Sequence, residues 1–174
     1  MSNFDKDSGI KMFTIITLGH TGVGKTSIIR RFAYNEFGNF KPTLGFYTVA
    51  KDIVLKNGTK IKIKLINTSG QENYQVLSTT YVKSADGVLF VFSHDNKQSF
   101  EDIKIRLNNL KKDFGEINFE KETPSFLVGN KCDLDHIIDK SEIEKLKNEN
   151  NFFGYKDTSA KENIGIDSLF YEMG

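Results

Sequence analysis

Nine residues near the amino terminus carry the most readable chemistry: Gly19-His20-Thr21-Gly22-Val23-Gly24-Lys25-Thr26-Ser27. They fit the pattern G-x-x-x-x-G-K-[ST], in which glycines let the backbone wrap closely and aim several N–H groups at one anion. An apolar run, Met12 to Leu18, precedes the pattern as a buried strand would. A helical segment follows from Thr26 to Tyr34, with Ile28, Ile29, Phe32 and Ala33 spaced for one buried face. The helix N-terminus adds partial positive charge. Gly22, Val23, Gly24, Lys25, Thr26 and Ser27 are therefore the candidate phosphate binders. Lys25 is placed to reach β- and γ-phosphates, and the Thr26 hydroxyl to ligate Mg²⁺. Chance assembly of common residue types is the bland alternative, and the strand before and helix after disfavour it.

The rest of the chain alternates strands and helices. The first strand is expected near residues 12–18 and the first helix near 25–35. Residues 36–46 have no clear period, and two glycines with Pro42 mark them as a loop. Residues 47–56 and 60–66 flank Asn57-Gly58, the signature of an antiparallel hairpin with a tight turn. Residues 68–82 are polar, with Gly70 and a short possible helix. Gly87 to Phe92 is a continuous apolar run, as in a strand buried on both faces. Ser99 with Asp102, and Ser141 with Glu144, resemble capping boxes opening two further helices. Strands are expected at 125–129 and 152–155, and a last helix from Gly165. This order implies an α/β fold with a mostly parallel sheet covered on both sides. Ligands in such sheets sit at the carboxyl ends of the strands.

Composition narrows the classes. The chain has 174 residues and a formal net charge of +1, which argues against nucleic acid as a partner. A single cysteine, Cys132, excludes an internal disulfide framework and fits a reducing, cytoplasmic compartment. No apolar run approaches the ~18 residues needed to span a bilayer. Residues 1–10 are polar, are expected to be disordered, and carry no signal-peptide core. His20, His94 and His136 lack metal-ligand spacing and read as loop residues.

Each remaining motif falls just after a strand: Asn67-Thr68-Ser69-Gly70-Gln71-Glu72, then Asn130-Lys131-Cys132-Asp133, then Thr158-Ser159-Ala160-Lys161. Together with the phosphate loop and Gln98-Ser99-Phe100, they make the chain resemble a Ras-superfamily small GTPase, most of all the Rab branch, over roughly residues 11–173. The resemblance implies a GTPase domain over 11–174 with a six-stranded sheet, one antiparallel edge strand and helices on both faces. It implies a monomeric switch in vesicle trafficking that binds GTP or GDP with Mg²⁺ and hydrolyses GTP slowly. Asp133, an acceptor-only carboxylate, would take the paired N–H donors of guanine. Asn130 would brace that loop and Lys131 lie along the base. Ala160 would meet the guanine O6 through its N–H, with Ser159 and Lys161 shaping its loop. Thr43 would complete the magnesium coordination begun by Thr26. Phe37 would pack against the base, although a partner-facing or core role is as open. Gly70 would meet the γ-phosphate, and Gln71 with Lys25 would be catalytic, Gln71 orienting the attacking water. Exchange factors, activating proteins and effectors would read residues 36–46 and 68–82 on the cytosolic face of endomembranes. Membrane attachment is expected only if a prenylated tail follows Gly174.

Three departures qualify the resemblance. Asn67 stands where the family has an aspartate, so a weaker magnesium site and altered cycling are expected. Thr21 replaces a smaller residue, most simply as a harmless swap. Ile66 replaces a tryptophan common in the Rab branch, so an atypical effector set is expected. The main alternative is a GTP-binding interaction module with impaired hydrolysis. A kinase or ATPase with the same phosphate loop would have no use for Asp133.

Overall fold

The computed structural model describes residues 4–5, 9–41, 43, 45–68, 81–82, 84–114 and 123–173. Among the described residues ten elements follow in order: β1 (Lys11–Gly19), α1 (Lys25–Tyr34), β2 (Phe46–Val54), β3 (Lys60–Thr68), β4 (Gly87–Ser93), α2 (Lys97–Phe114), β5 (Ser125–Asn130), α3 (Lys140–Glu149), β6 (Gly154–Asp157) and α4 (Ile166–Met173). The strands form one six-stranded sheet in the order β2-β3-β1-β4-β5-β6. The edge strand β2 runs antiparallel to β3, and every other pairing is parallel. This is the expected architecture.

Period-two alternation divides the sheet's side chains between two cores. On one face Ile15, Leu89, Val91, Phe126 and Val128 meet Ile28, Ile29 and Phe32 of α1 and Leu169 and Phe170 of α4. On the other, Ile16, Leu18, Phe90, Phe92 and Leu127 meet Phe100, Ile103 and Leu107 of α2 and Ile143 and Leu146 of α3. All seven residues of β4 are buried, as its unbroken apolar run requires.

Several local expectations are corrected. Ser99 does not cap α2; Asn96 does, its Oδ1 accepting the Ser99 N–H at 3.2 Å. The Ser99 hydroxyl instead donates to the Asn96 carbonyl at 2.6 Å and accepts the Ser93 N–H at 3.0 Å. Its supposed partner Asp102 turns away to His20. At α3 the N-cap is Asp139 with no side-chain cap bond, so Ser141 and Glu144 lie inside the first turns. The hairpin loop is wider than a two-residue turn, since the last paired residues are Val54 and Lys60. Strand β6 starts at Gly154, two residues after the expected position, and Phe152 instead packs edge-on against Phe90 at 5.3 Å. Ahead of β1, Phe4 bridges to Lys11 and Asp5 Oδ2 pairs with Lys62 Nζ at 2.7 Å.

Phe32 is 1% exposed and stacks on Phe170 at 4.0 Å between ring centres, joining the helix after the phosphate loop to the last helix. Phe32→Ala is expected to lower unfolding free energy by about 3–5 kcal/mol in urea titrations. A loss below 1 kcal/mol would show that this contact is not part of the stabilising core.

Candidate functional site

The phosphate loop spans the gap from the end of β1 to the start of α1. Gly24 is the α1 N-cap, with φ +95°, and a Cβ there would lie 2.2 Å from Asn130 Nδ2. Both the backbone angle and the close approach demand glycine at this position. Lys25 is 5% exposed and donates to the carbonyls of Gly19 at 2.9 Å and His20 at 2.8 Å. Burial, aided by the Arg106 guanidinium, pushes its ammonium down to about 7. Val23 turns the other way: its side chain, 1% exposed, belongs to the core. His20 is no idle loop residue, because its Nδ1 pairs with Asp102 and ties the loop to α2.

The base-side motifs converge on the same place. Asn130, at the end of β5, donates through Nδ2 to the Val23 carbonyl at 2.8 Å and accepts the Thr158 hydroxyl at 3.1 Å. Lys131 takes a left-handed backbone, φ +59°, which turns the chain so that exposed Asp133 faces the second loop. There the Ser159 hydroxyl donates to Asp133 Oδ1 at 2.6 Å. Ser159 is itself fully buried, so its part is to aim Asp133. Arg31 holds the loop from outside, donating to the Ala160 carbonyl at 2.8 Å and the Lys161 carbonyl at 3.2 Å. The same guanidinium lies 5.9 Å from the Phe37 ring centre, which places Phe37 beside the base-side loop. Phe40 stands apart, 4.6 Å from Arg30.

On the third side two hydroxyls meet. Thr26 Oγ1 and Thr43 Oγ1 are 3.0 Å apart. Ligands at right angles around Mg²⁺, each at 2.0–2.1 Å, are about 2.9 Å apart, so the pair fits one edge of such an octahedron. Asn67 faces them, fully buried, with Nδ2 at 2.9 Å from Thr26 Oγ1 and 3.0 Å from Thr43 Oγ1. Thr17 Oγ1, at 3.4 Å, donates to its Oδ1. The hydroxyls suit a hard ion shared with phosphate oxygens, while the amide beside them brings no negative charge. Opposite Asn67 on β2 stands Tyr47. Its hydroxyl is buried without a well-formed hydrogen bond. Burial raises its pKa, opposed by Arg30 and by the nearness of Asn67 and Thr26. Sequence reasoning missed Tyr47, although its alternation with buried Val49 carried the signal; for Arg31 no such signal existed.

A cavity of about 620 Å³ lies among these groups, lined by Gly22, Gly24, Lys25, Thr26, Ser27, Phe37, Phe40, Thr43, Asn130, Lys131, Asp133, Ala160 and Lys161. That volume suits a small-molecule ligand. Gly70 and Gln71 lie outside the described residues.

A sequence model of the Ras family matches residues 14–174. The chain belongs to the Ras family. Ras-related protein Rab-10 of Caenorhabditis elegans is 32% identical over 165 residues, covering 93% of this chain and 79% of that protein. Ras-related protein Rab-8A of Bos taurus is 30% identical over 167 residues, covering 93% of this chain and 76% of that protein. Rab-10 of Diplobatis ommata is 34% identical over 167 residues. The protein is thus a Rab-like small GTPase, and among its described residues no helix is long and apolar enough to cross a membrane.

The depressed Lys25 ammonium gives a pH signature. A polyphosphate beside Lys25 raises its pKa above about 7, so binding takes up a proton. Affinity is fully present below that value and falls as pH rises through the higher, ligand-bound pKa. Calorimetry of GDP binding at pH 8, in buffers of different ionisation enthalpy, should register proton uptake approaching one per site; none would contradict this account of Lys25.

Proposed function

We propose that the protein is a guanine-nucleotide-dependent switch of vesicle trafficking that holds GTP or GDP and hydrolyses GTP slowly. The observation that carries the reading is the convergence of Asp133, aimed by Ser159, with Lys25 on one cavity. Asp133 accepts the paired guanine N–H donors that adenine lacks, and Ala160 offers its N–H to O6. Asn130 braces the loops, and Lys131, Lys161 and Phe37 enclose the base. The N–H groups of Gly22 to Ser27, with the Lys25 ammonium, stabilise charge on the phosphoryl oxygens. Thr26 and Thr43 would hold Mg²⁺, which would neutralise phosphate charge. Gly70 and Gln71 take their roles from the motif alone: an N–H to the γ-phosphate and the orientation of water.

Unaided hydrolysis in this class is on the order of 10⁻⁴ s⁻¹ and is accelerated by partner proteins. Thr43 lies on the loop 36–46, so its contact with Thr26 is one that a triphosphate can make or release. Exchange factors, activating proteins and effectors then read residues 36–46 and 68–82. Exposed Phe46, edge-on to Tyr81 at 4.8 Å, offers them an apolar anchor. In this reading the protein acts as a monomer at the cytosolic face of endomembranes. Residues 11–174 form the GTPase domain.

Competition binding tests base choice. GTP and GDP should displace a fluorescent guanine nucleotide at least 10³-fold better than ATP, and Asp133→Ala should remove that preference. Equal displacement by ATP would end the guanine reading.

Asn67 favours a second reading, an interaction module with impaired hydrolysis. Losing a charged partner in the outer shell of a metal typically costs about 10–100-fold in affinity. Asn67→Asp should lower the magnesium concentration that half-maximally slows GDP release by that factor and speed single-turnover hydrolysis. An unchanged magnesium dependence would mean that the amide has no effect on the cycle.

A further inference from the structure

A second polar cluster adjoins the base-side loops, and nothing in the site described above uses it. His94 follows β4 and turns inward, with 1% of its surface exposed. Its Nε2 lies 2.6 Å from Oδ1 of Asp157, the last residue of β6. Tyr155 donates its hydroxyl to the same oxygen. Burial disfavours charge on Asp157, but the bonds from His94 and Tyr155 outweigh it and hold the carboxyl below its ordinary range. An ionised carboxylate offers only lone pairs, so the His94 proton sits on Nε2. Nδ1 is buried with no hydrogen-bond partner among the described residues.

The ring is held on its other sides as well. His136 stacks on it at 3.8 Å between centres, and the planes differ by 13°. Phe92 meets it edge-on at 5.4 Å. Gly129 makes room: a Cβ there would come within 2.5 Å of His94 Nε2 and 2.7 Å of the Tyr155 oxygen. The backbone repeats the pattern. The His94 N–H donates to the Asn130 carbonyl at 3.0 Å, and the His94 carbonyl accepts the Ile137 N–H at 3.1 Å. His94 therefore grips both ends of the loop that carries Asp133 and, through Asp157, the root of the loop that carries Ser159 and Ala160. An apolar side chain would fill the same space without stranding Nδ1. What the imidazole alone supplies is the bond to Asp157.

We propose that His94 is a positioning residue for guanine recognition, bracing residues 130–136 against residues 158–161 through Asp157. This rests on the reading of those loops as the base site. His94 touches neither Lys25, Thr26 nor Thr43, so it governs how firmly the base is held rather than the phosphoryl chemistry.

The test measures dissociation of a fluorescent GDP analogue, single-turnover hydrolysis at saturating GTP, and the melting temperature, in the full chain. His94→Leu should speed dissociation at least tenfold while hydrolysis stays within twofold. His94→Gln, which keeps an N–H near the position of Nε2, should recover most of the retention. Asp157→Ala, at a half-exposed site, removes the acceptor and should match His94→Leu, and combining the two should add nothing. If His94→Leu fails to fold, the Asp157 variant decides alone. Dissociation within twofold of the unaltered protein in His94→Leu or in the Asp157 variant overturns the proposal. So does a fall in hydrolysis equal to the loss of retention, the mark of general loosening. An unaltered protein that retains no guanine nucleotide defeats the base-site reading itself, before any variant is made.

Discussion

One buried amide holds the site together. Asn130 is 2% exposed, and its two side-chain ends bond to different loops: Nδ2 to the Val23 carbonyl, Oδ1 to the Thr158 hydroxyl. The phosphate loop and the two base-side loops arise from three strands, β1, β5 and β6, far apart in the chain. Past the strand ends the Cys132 N–H donates to the Thr158 carbonyl at 3.0 Å, joining the two base-side loops, and Asn130 ties both to the phosphate loop. A dry, fully bonded amide is costly to break, because either end would then be stranded without water. The missing Cβ of Gly24 lets this contact form, so glycine and asparagine constrain each other across 106 residues of sequence.

Around that junction the described lining carries several lysines and a single acid, Asp133. Lys25 is desolvated and anchored to two carbonyls, which leaves its ammonium weakly held and ready for an anion. The groups facing the Thr26 and Thr43 hydroxyls are an amide and a phenol, Asn67 and Tyr47, both neutral at ordinary pH. Positive potential from the loop N–H groups and the α1 terminus is therefore not offset by a carboxylate at position 67. Under the proposed function such a site would favour phosphate and would hold a divalent ion less firmly than one with an acid there.

Rigidity is graded across the fold. The base-side loops are tied by Asn130, Ser159, Arg31 and His94 to strands inside two apolar cores. Among the described residues, Thr43 is tied to the site through the hydroxyl of Thr26 and the amide of Asn67, contacts beside the phosphate loop. A switch needs this asymmetry, since the base must stay gripped while the partner-facing loop responds to the phosphates.

The sheet, its helices and the residues around the cavity were legible in the linear chain because they rest on local signals. Periodicity marks which side of each element is apolar, and loop glycines next to a lysine announce an anion site. Family motifs pointed to Asp133, Thr43 and Ala160, which the fold brings to the lining of one cavity. Helix starts were misread at Ser99 and Ser141 because a hydroxyl near a helix can bond several backbone groups, and packing chooses among them. Arg31, Tyr47 and His94 acquire their roles only through partners dozens of residues away, such as Ala160, Asn67 and Asp157. Amino-acid order alone therefore determined which elements form and what chemistry their ends could support. Only the folded arrangement decided which polar groups are shut away from water together, because that depends on long-range burial and not on neighbouring residues.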